Sequence, residues 1–129
     1  RAARELRPND ALLMVNTGIA LRQMGRTEEA TAVYREAIEI DPAEPLAHFN
    51  LGNAHLRAED HAAAVRAYRR AIELDESIAP AHFNLARALL ARRSYRPALR
   101  ALRTGLAYDS TNAEARDLAR RLESALQGR

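Results

Sequence analysis

Three asparagines recur along this chain at one fixed spacing. Asn50 lies 34 residues after Asn16, and Asn84 lies another 34 residues after Asn50. Each side-chain amide offers two N–H donors and one carbonyl acceptor. A row of such amides can pair with the N–H and C=O groups of an extended peptide backbone without reading its side chains. The alternative is that these amides cap or bridge helices within the protein itself.

Other residues that could carry chemistry are few. The chain has no cysteine, which excludes disulfides, thiolate zinc sites and a cysteine nucleophile. His48 and His82 also lie one spacing apart, but two histidines without a carboxylate make a poor metal site. No glycine-rich phosphate loop, nucleophile elbow or carboxylate pair occurs. We therefore expect a protein that is not an enzyme, with no catalytic residue, metal ligand or cofactor.

The asparagines belong to a longer internal repeat. The run Ala-His-Phe-Asn-Leu at residues 47–51 returns unchanged at residues 81–85. Within each copy the apolar residues have helical spacing. Gly25 interrupts the first copy near its middle, and Asp41-Pro42 ends it, because the residue before a proline disfavours helix. Each period is therefore predicted to be a helix, a tight turn, a second helix and another turn.

This pattern resembles the tetratricopeptide repeat (TPR), a 34-residue helix pair with the motif W-x2-L-G-x2-Y, then A-x3-F, then P. The residues at those places are Met14, Thr17, Gly18, Leu21, Ala30, Tyr34 and Pro42, then His48, Leu51, Gly52, His55, Ala64, Tyr68 and Glu76, then His82, Leu85, Ala86, Leu89, Ala98, Leu102 and Ser110. Tryptophan is absent from all three copies, and proline is lost twice. The resemblance implies an all-α fold, a right-handed superhelical solenoid of stacked antiparallel helix pairs.

The repeat spacing also predicts the domain boundaries. We expect repeats at residues 11–44, 45–78 and 79–112. Pro8 lies one period before Pro42, so residues 1–9 are predicted to be the tail of a preceding repeat's second helix in a longer protein. Residues 111–114, Thr-Asn-Ala-Glu, have the form of a capping box. They are predicted to open a C-terminal capping helix over residues 113–127.

Stacked helix pairs form a concave groove lined by the first helix of each pair. The predicted peptide-binding residues in this groove are Asn16, Asn50, Asn84, Asn53, Phe49, Phe83, Arg57 and Arg87. The asparagine ladder resembles the one in the repeat array of O-GlcNAc transferase, which implies that it holds an extended peptide. The carboxylate-clamp version of the family binds chaperone C-termini through basic groove residues. Here Val15, Ile19, Pro80 and Asn84 occupy most clamp places and lysine is absent, so we do not expect that clamp.

The predicted function is therefore a protein–protein interaction module that binds an extended peptide or partner segment. Two alternatives stay open. One is a structural module that self-associates through an open N-terminal end, since a repeat tail would expose an apolar face there. The other is a substrate-recruiting domain of a fused enzyme.

The charge pattern adds little about partners. All 20 basic residues are arginine, which with the many alanines indicates a GC-rich bacterial genome. Residues 79–108 hold six arginines and no acidic residue; we interpret these as a solvated face, the alternative being a dock for an acidic segment or phosphate. Nucleic acid is not expected, because the motifs of helical RNA readers are missing. Neither a leader nor a membrane-spanning segment is visible, which favours the cytoplasm, or the periplasm if a leader was removed.

Overall fold

The computed structural model describes residues 8–128, and those residues form helices joined by short turns. The helices are α1 (Pro8–Gln23), α2 (Thr27–Ile40), α3 (Pro45–Arg57), α4 (His61–Leu74), α5 (Ala79–Ala91), α6 (Tyr95–Tyr108) and α7 (Ala113–Gln127). α1 packs on α2, α3 on α4 and α5 on α6, each pair packs on the next, and α7 covers α6. The predicted all-α solenoid of stacked helix pairs is confirmed.

The first helix of every pair ends in the same backbone geometry. Gly25, Glu59 and Arg93 each follow the end of such a helix with a positive φ, of 84°, 62° and 60°. The next amide then donates to the carbonyl five residues earlier, at 2.8–2.9 Å. This is the Schellman motif, which satisfies the free carbonyls of a helix end. It turns the chain sharply, so the second helix folds back on the first.

The second helices also end alike. An aspartate follows each of them, at Asp41, Asp75 and Asp109, and its carboxylate accepts the N–H group two residues further on at 3.0 Å. At the latter two turns a hydroxyl from Ser77 or Thr111 also donates to this carboxylate and lowers the pKa of the aspartate. These turns set the angle at which the next pair begins.

α7 keeps the repeat register although no second helix follows it among the described residues. In α3 and α5, His48 and His82 each contact the carbonyl oxygen six residues earlier, at 2.9 and 2.8 Å. In α7 the guanidinium of Arg116 donates to the carbonyl six residues earlier at 2.9 Å. The histidines therefore hold turns in place, and α7 docks as a first helix would.

One predicted boundary and one predicted helix cap differ from the structure. α1 begins at Pro8, so residues 8 and 9 belong to the first repeat and not to the tail of a preceding helix. A proline suits a helix start, because an N–H group in the first turn would have no acceptor within the helix. The rest of that predicted tail, residues 1–7, lies outside the described residues. At α7, the N-cap is Asn112, whose side chain accepts from Ala115 N–H at 3.0 Å, and not Thr111.

Glycine and tyrosine are matched in size where the two helices of a pair meet. A Cβ atom on Gly52 would lie 2.8 Å from the ring of Tyr68, so this place admits no side chain. Gly18 faces Tyr34 in the same way. In the third pair the residue facing the helix crossing is Ala86, because the tyrosine is replaced there by the smaller Leu102.

The apolar core of the described residues consists of two clusters. One lies in the first pair and reaches Ala47 and Leu51 of α3. The other runs from α4 to α7 and takes in Phe49 and Leu56 of α3. α3 therefore contributes to both clusters and forms the boundary between them.

Candidate functional site

The first helices lie closer together than the second helices do. α1 contacts α3 and α3 contacts α5, whereas within residues 8–128 α2 with α4, and α4 with α6, have no comparable contact. The stack is thus narrower on the side of the first helices. This side, made by α1, α3 and α5 with α7 at its end, is called the inner face below.

Asn53 is the centre of a hydrogen-bond network on this face. The hydroxyl of Tyr68 in α4 donates to Asn53 Oδ1 at 2.5 Å, and Asn84 Nδ2 in α5 donates to the same oxygen at 3.0 Å. Burial raises the pKa of Tyr68 and keeps its hydroxyl protonated as a donor. The network ties α3, α4 and α5 together. Asn84, one of the three repeated asparagines, thus bridges helices through its bond to Asn53.

The three repeated asparagines are not equivalent. Asn16 is exposed on α1. Asn50 is only 8% exposed, and its Nδ2 donates to Leu46 O in its own helix at 2.9 Å. Asn84 bonds across to the neighbouring repeat. The regular spacing in the sequence therefore does not give a regular row of free amides.

One substitution between repeats explains this difference. The place of Asn53 is taken one repeat earlier by Ile19, which has no oxygen to accept a bond. Asn50 therefore turns to its own helix. Tyr34, at the place of Tyr68, is 1% exposed, and its hydroxyl has no hydrogen-bond partner among residues 8–128.

The two phenylalanines predicted for the groove lie in the core instead. Phe83 is 8% exposed, and its ring lies against Gly105 of α6, where a Cβ atom would come within 2.6 Å of it. Phe49 is partly buried, with its ring 6.1 Å from that of Tyr68. A residue one step before the asparagine on each helix points toward the adjoining helices, so its ring fills the gap between helices and offers a partner little area.

Arg57 and Arg87 do lie on the inner face. With Asn53, Leu56 and Asn84 they line a cavity of about 180 Å³. Arg57 is exposed and has no ion-pair partner within residues 8–128. Arg87 pairs with Glu114 of α7 at 3.0 Å, with both side chains more than half exposed, so this pair is weak.

α7 also contributes to the inner face, which was not predicted from the sequence. Glu114 lies one period after Pro80, so extending the repeat into α7 would have placed it there.

A second, larger cavity of about 430 Å³ lies between α2 and α3 and is lined by Arg22, Thr27, Glu28, Ala30, Thr31, Tyr34, Ala54, Arg57 and Ala58. Arg57 borders both cavities and is the residue that joins them.

The described residues offer little for other chemistry. Residues 8–128 contain no group of three potential metal ligands. None of the helices in that range has the length and apolar character needed to cross a membrane. His48 and His82, the repeated histidines, are both used in turn contacts.

Comparisons with known proteins agree with this architecture. Residues 18–59 match a family model described as TPR repeat, and residues 45–78 match one described as tetratricopeptide repeat. These matches support the tetratricopeptide repeat family. No curated protein sequence matches the chain.

Several solved structures share the fold at low sequence identity. The first TPR of Spaghetti (RPAP3) bound to the HSP90 peptide SRMEEVD has a TM-score of 0.87 and 24% identity, covering 95% of this chain and 97% of that chain. MamA has a TM-score of 0.83 and 19% identity, covering 93% of this chain and 70% of that chain. The Arabidopsis OM64 TPR domain has a TM-score of 0.82 and 22% identity, covering 89% of this chain and 95% of that chain. At this identity the likeness shows the tetratricopeptide fold alone.

Proposed function

We propose that this chain is a non-catalytic interaction module that binds an extended segment of another polypeptide along the inner face. The observation that carries the proposal is the cavity around Asn53, Arg57, Asn84 and Arg87. Two polar groups that have no hydrogen-bond partner within residues 8–128 belong to residues that line this cavity. Asn53 Nδ2 and Asn84 Oδ1 have no partner within residues 8–128, although the other halves of both amides are bonded to each other.

These unused groups suit a peptide backbone. One donor and one acceptor side by side are what an extended strand of the partner requires from its binding surface. The amide pair of Asn53 and Asn84 therefore replaces the three-member ladder predicted from the sequence, with the exposed Asn16 as a further contact. In this reduced form the resemblance to the groove of O-GlcNAc transferase remains part of the proposal.

The charge of the inner face favours a partner with acidic side chains. α3 and α5 contain no acidic residue, and Arg57 has no competing carboxylate bonded to it. To bind an acidic partner, Arg87 needs to give up only its exposed ion pair with Glu114. The similar fold of RPAP3 is bound to the peptide SRMEEVD, which supports peptide binding as the use of this fold, although the clamp residues expected for such a chaperone peptide are absent here.

The test is selection of extended peptides from a random library on the intact chain, followed by affinity measurement by fluorescence anisotropy. Arg57→Gln removes groove charge without breaking an ion pair, and Arg87→Gln breaks only the exposed, weak pair with Glu114. Each substitution should lower the affinity for the selected peptides about tenfold, which corresponds to a loss of roughly 1.4 kcal/mol of binding free energy. Arg100→Gln on α6 is the matched control and should leave the affinity unchanged. Peptides that bind all four proteins equally would place the site elsewhere.

A structural module that self-associates is the second candidate function, favoured by one observation. Leu13 in α1 and Met24 just after it are 61% and 64% exposed, and a second copy of the chain could cover these large apolar side chains. Sedimentation equilibrium over a wide concentration range tests it: a mass that does not rise with concentration contradicts self-association. The inner-face substitutions above would not affect this measurement.

A further inference from the structure

A separate cavity lies away from the inner face, between α4 and the turn that joins α5 to α6. Its volume is about 260 Å³, and it is lined by Ala62, Val65, Arg66, Arg69, Leu89, Arg92 and Ser94. The lining contains three arginines and no acidic residue. Nothing in the peptide-binding proposal uses this cavity.

The polar groups of the cavity are unpaired in the described part of the chain. Arg66, Arg69 and Arg92 are exposed, and none forms an ion pair with any residue from 8 to 128. The hydroxyl of Ser94 makes no cap bond to α6. Asp60, one repeat earlier, does cap its helix, accepting from Ala63 N–H at 3.2 Å. Three arginine side chains and a free hydroxyl therefore line a cavity that contains no acidic side chain.

The repeat itself provides an internal comparison. One repeat earlier, the corresponding residues are Ala32, Arg35, Ala58 and Asp60, with one cation and one anion. One repeat later, Arg103 is paired with Glu123 of α7 at 2.6 Å. The fold therefore does not require three unpaired arginines at this junction. They raise the free energy of the folded state by mutual repulsion unless an anion lies among them.

We propose that this cavity binds a phosphate group. The guanidinium fork of arginine matches phosphate oxygens in geometry, and the Ser94 hydroxyl adds a donor. Val65 and Leu89 add apolar walls to the cavity. The source is either free inorganic phosphate or a phosphorylated side chain of a partner protein, since both present the same dianion.

The first experiment titrates the intact chain with inorganic phosphate at constant ionic strength and follows binding by ³¹P nuclear magnetic resonance. The double variant Arg66→Gln/Arg92→Gln should raise the dissociation constant at least about tenfold. The control Arg35→Gln/Arg100→Gln removes two equally unpaired arginines outside the cavity and should change it by less than about twofold. Equal weakening in both variants, or no binding by the wild type, overturns the proposal.

The second experiment separates the two sources. A short peptide carrying phosphoserine is compared with inorganic phosphate and with the same peptide unphosphorylated. Tighter binding of the phosphopeptide than of phosphate, lost in Arg66→Gln/Arg92→Gln, assigns the cavity to a phosphorylated partner. Equal binding assigns it to free phosphate. If the peptide binds equally with and without its phosphate group, and also binds the cavity variant, the cavity is not a docking site for a phosphorylated partner. Arg57→Gln should leave the titration with inorganic phosphate unchanged, so failure here is distinct from failure of the peptide groove.

Discussion

Tyr34 and Tyr68 occupy the same place in adjacent repeats, but replacing Tyr68 by phenylalanine should lower stability whereas the same change at Tyr34 should not. Tyr68 donates a 2.5 Å hydrogen bond to Asn53, whereas the buried hydroxyl of Tyr34 has no partner within residues 8–128. Both rings pack on a glycine of the preceding helix, so the substitutions leave the packing alone. Only the hydroxyl and its bonding differ.

The expected magnitudes follow from the cost of an unpaired buried group. Tyr68→Phe removes a made bond and should lower the free energy of unfolding by about 1 kcal/mol. In the wild type the Tyr34 hydroxyl is buried without a hydrogen bond, which destabilises the folded state by roughly 1–3 kcal/mol. Tyr34→Phe removes this hydroxyl. That substitution should therefore be neutral or stabilising. The two variants should differ by roughly 2 kcal/mol.

Urea unfolding followed by circular dichroism measures the difference. The midpoint shifts of the two variants are compared at constant slope, because a changed slope would mean that the repeats no longer unfold together. Tyr68→Phe combined with Asn53→Ala should cost less than the two single losses added, since both remove the same bond. Equal destabilisation by Tyr34→Phe and Tyr68→Phe would refute the bonding described for both tyrosines.

Three further perturbations follow from the helix contacts. Gly52→Ala should lower the free energy of unfolding by about 1–3 kcal/mol in urea titration, because its Cβ meets the Tyr68 ring. Adding Tyr68→Leu should restore only part of the loss, since it relieves the clash but removes the bond to Asn53; full stability of Gly52→Ala alone would contradict the packing. Asn112→Ala should lower the melting stability by about 1 kcal/mol, since it removes the cap of α7, whereas Thr111→Ala should cost less. Burial lowers the pKa of His55 below its ordinary value of 6.5, so the unfolded chain binds its proton first as the pH falls, and stability should drop as the pH falls through 6.5; His55→Gln should show a smaller drop.

The sequence predicted the fold well because the repeat leaves its mark on every turn. Gly25 and the residue pair Asp41-Pro42 gave correct ends for helices. The start of α1 was wrong, because Pro8 can close one turn or open the next helix and periodicity does not distinguish the two. The cap of α7 was wrong for a similar reason: Thr111 and Asn112 are neighbours, and both suit an N-cap.

The predicted site stays a prediction, and the structure gives its residues different partners. The periodicity shows that Asn50 and Asn84 share a helix position, but not what each amide meets on the neighbouring helix. Whether the neighbour is Asn53 or Ile19 decides that, and it depends on contacts between repeats. Phe49 and Phe83 show the same limit, because one step of about 100° around a helix separates a groove residue from a core residue.

The division of the apolar core at α3 has a consequence for how the array loses its structure. In a solenoid each unit is held only by its neighbours, so stability is a sum of local terms and adjacent units can open separately. The first pair has its own cluster and should exchange its amide hydrogens through an opening of lower energy than the one that exposes α4 to α6. Arg57 stands at that boundary. A ligand that spans it would slow hydrogen exchange in α1 and α2 without touching most of their residues.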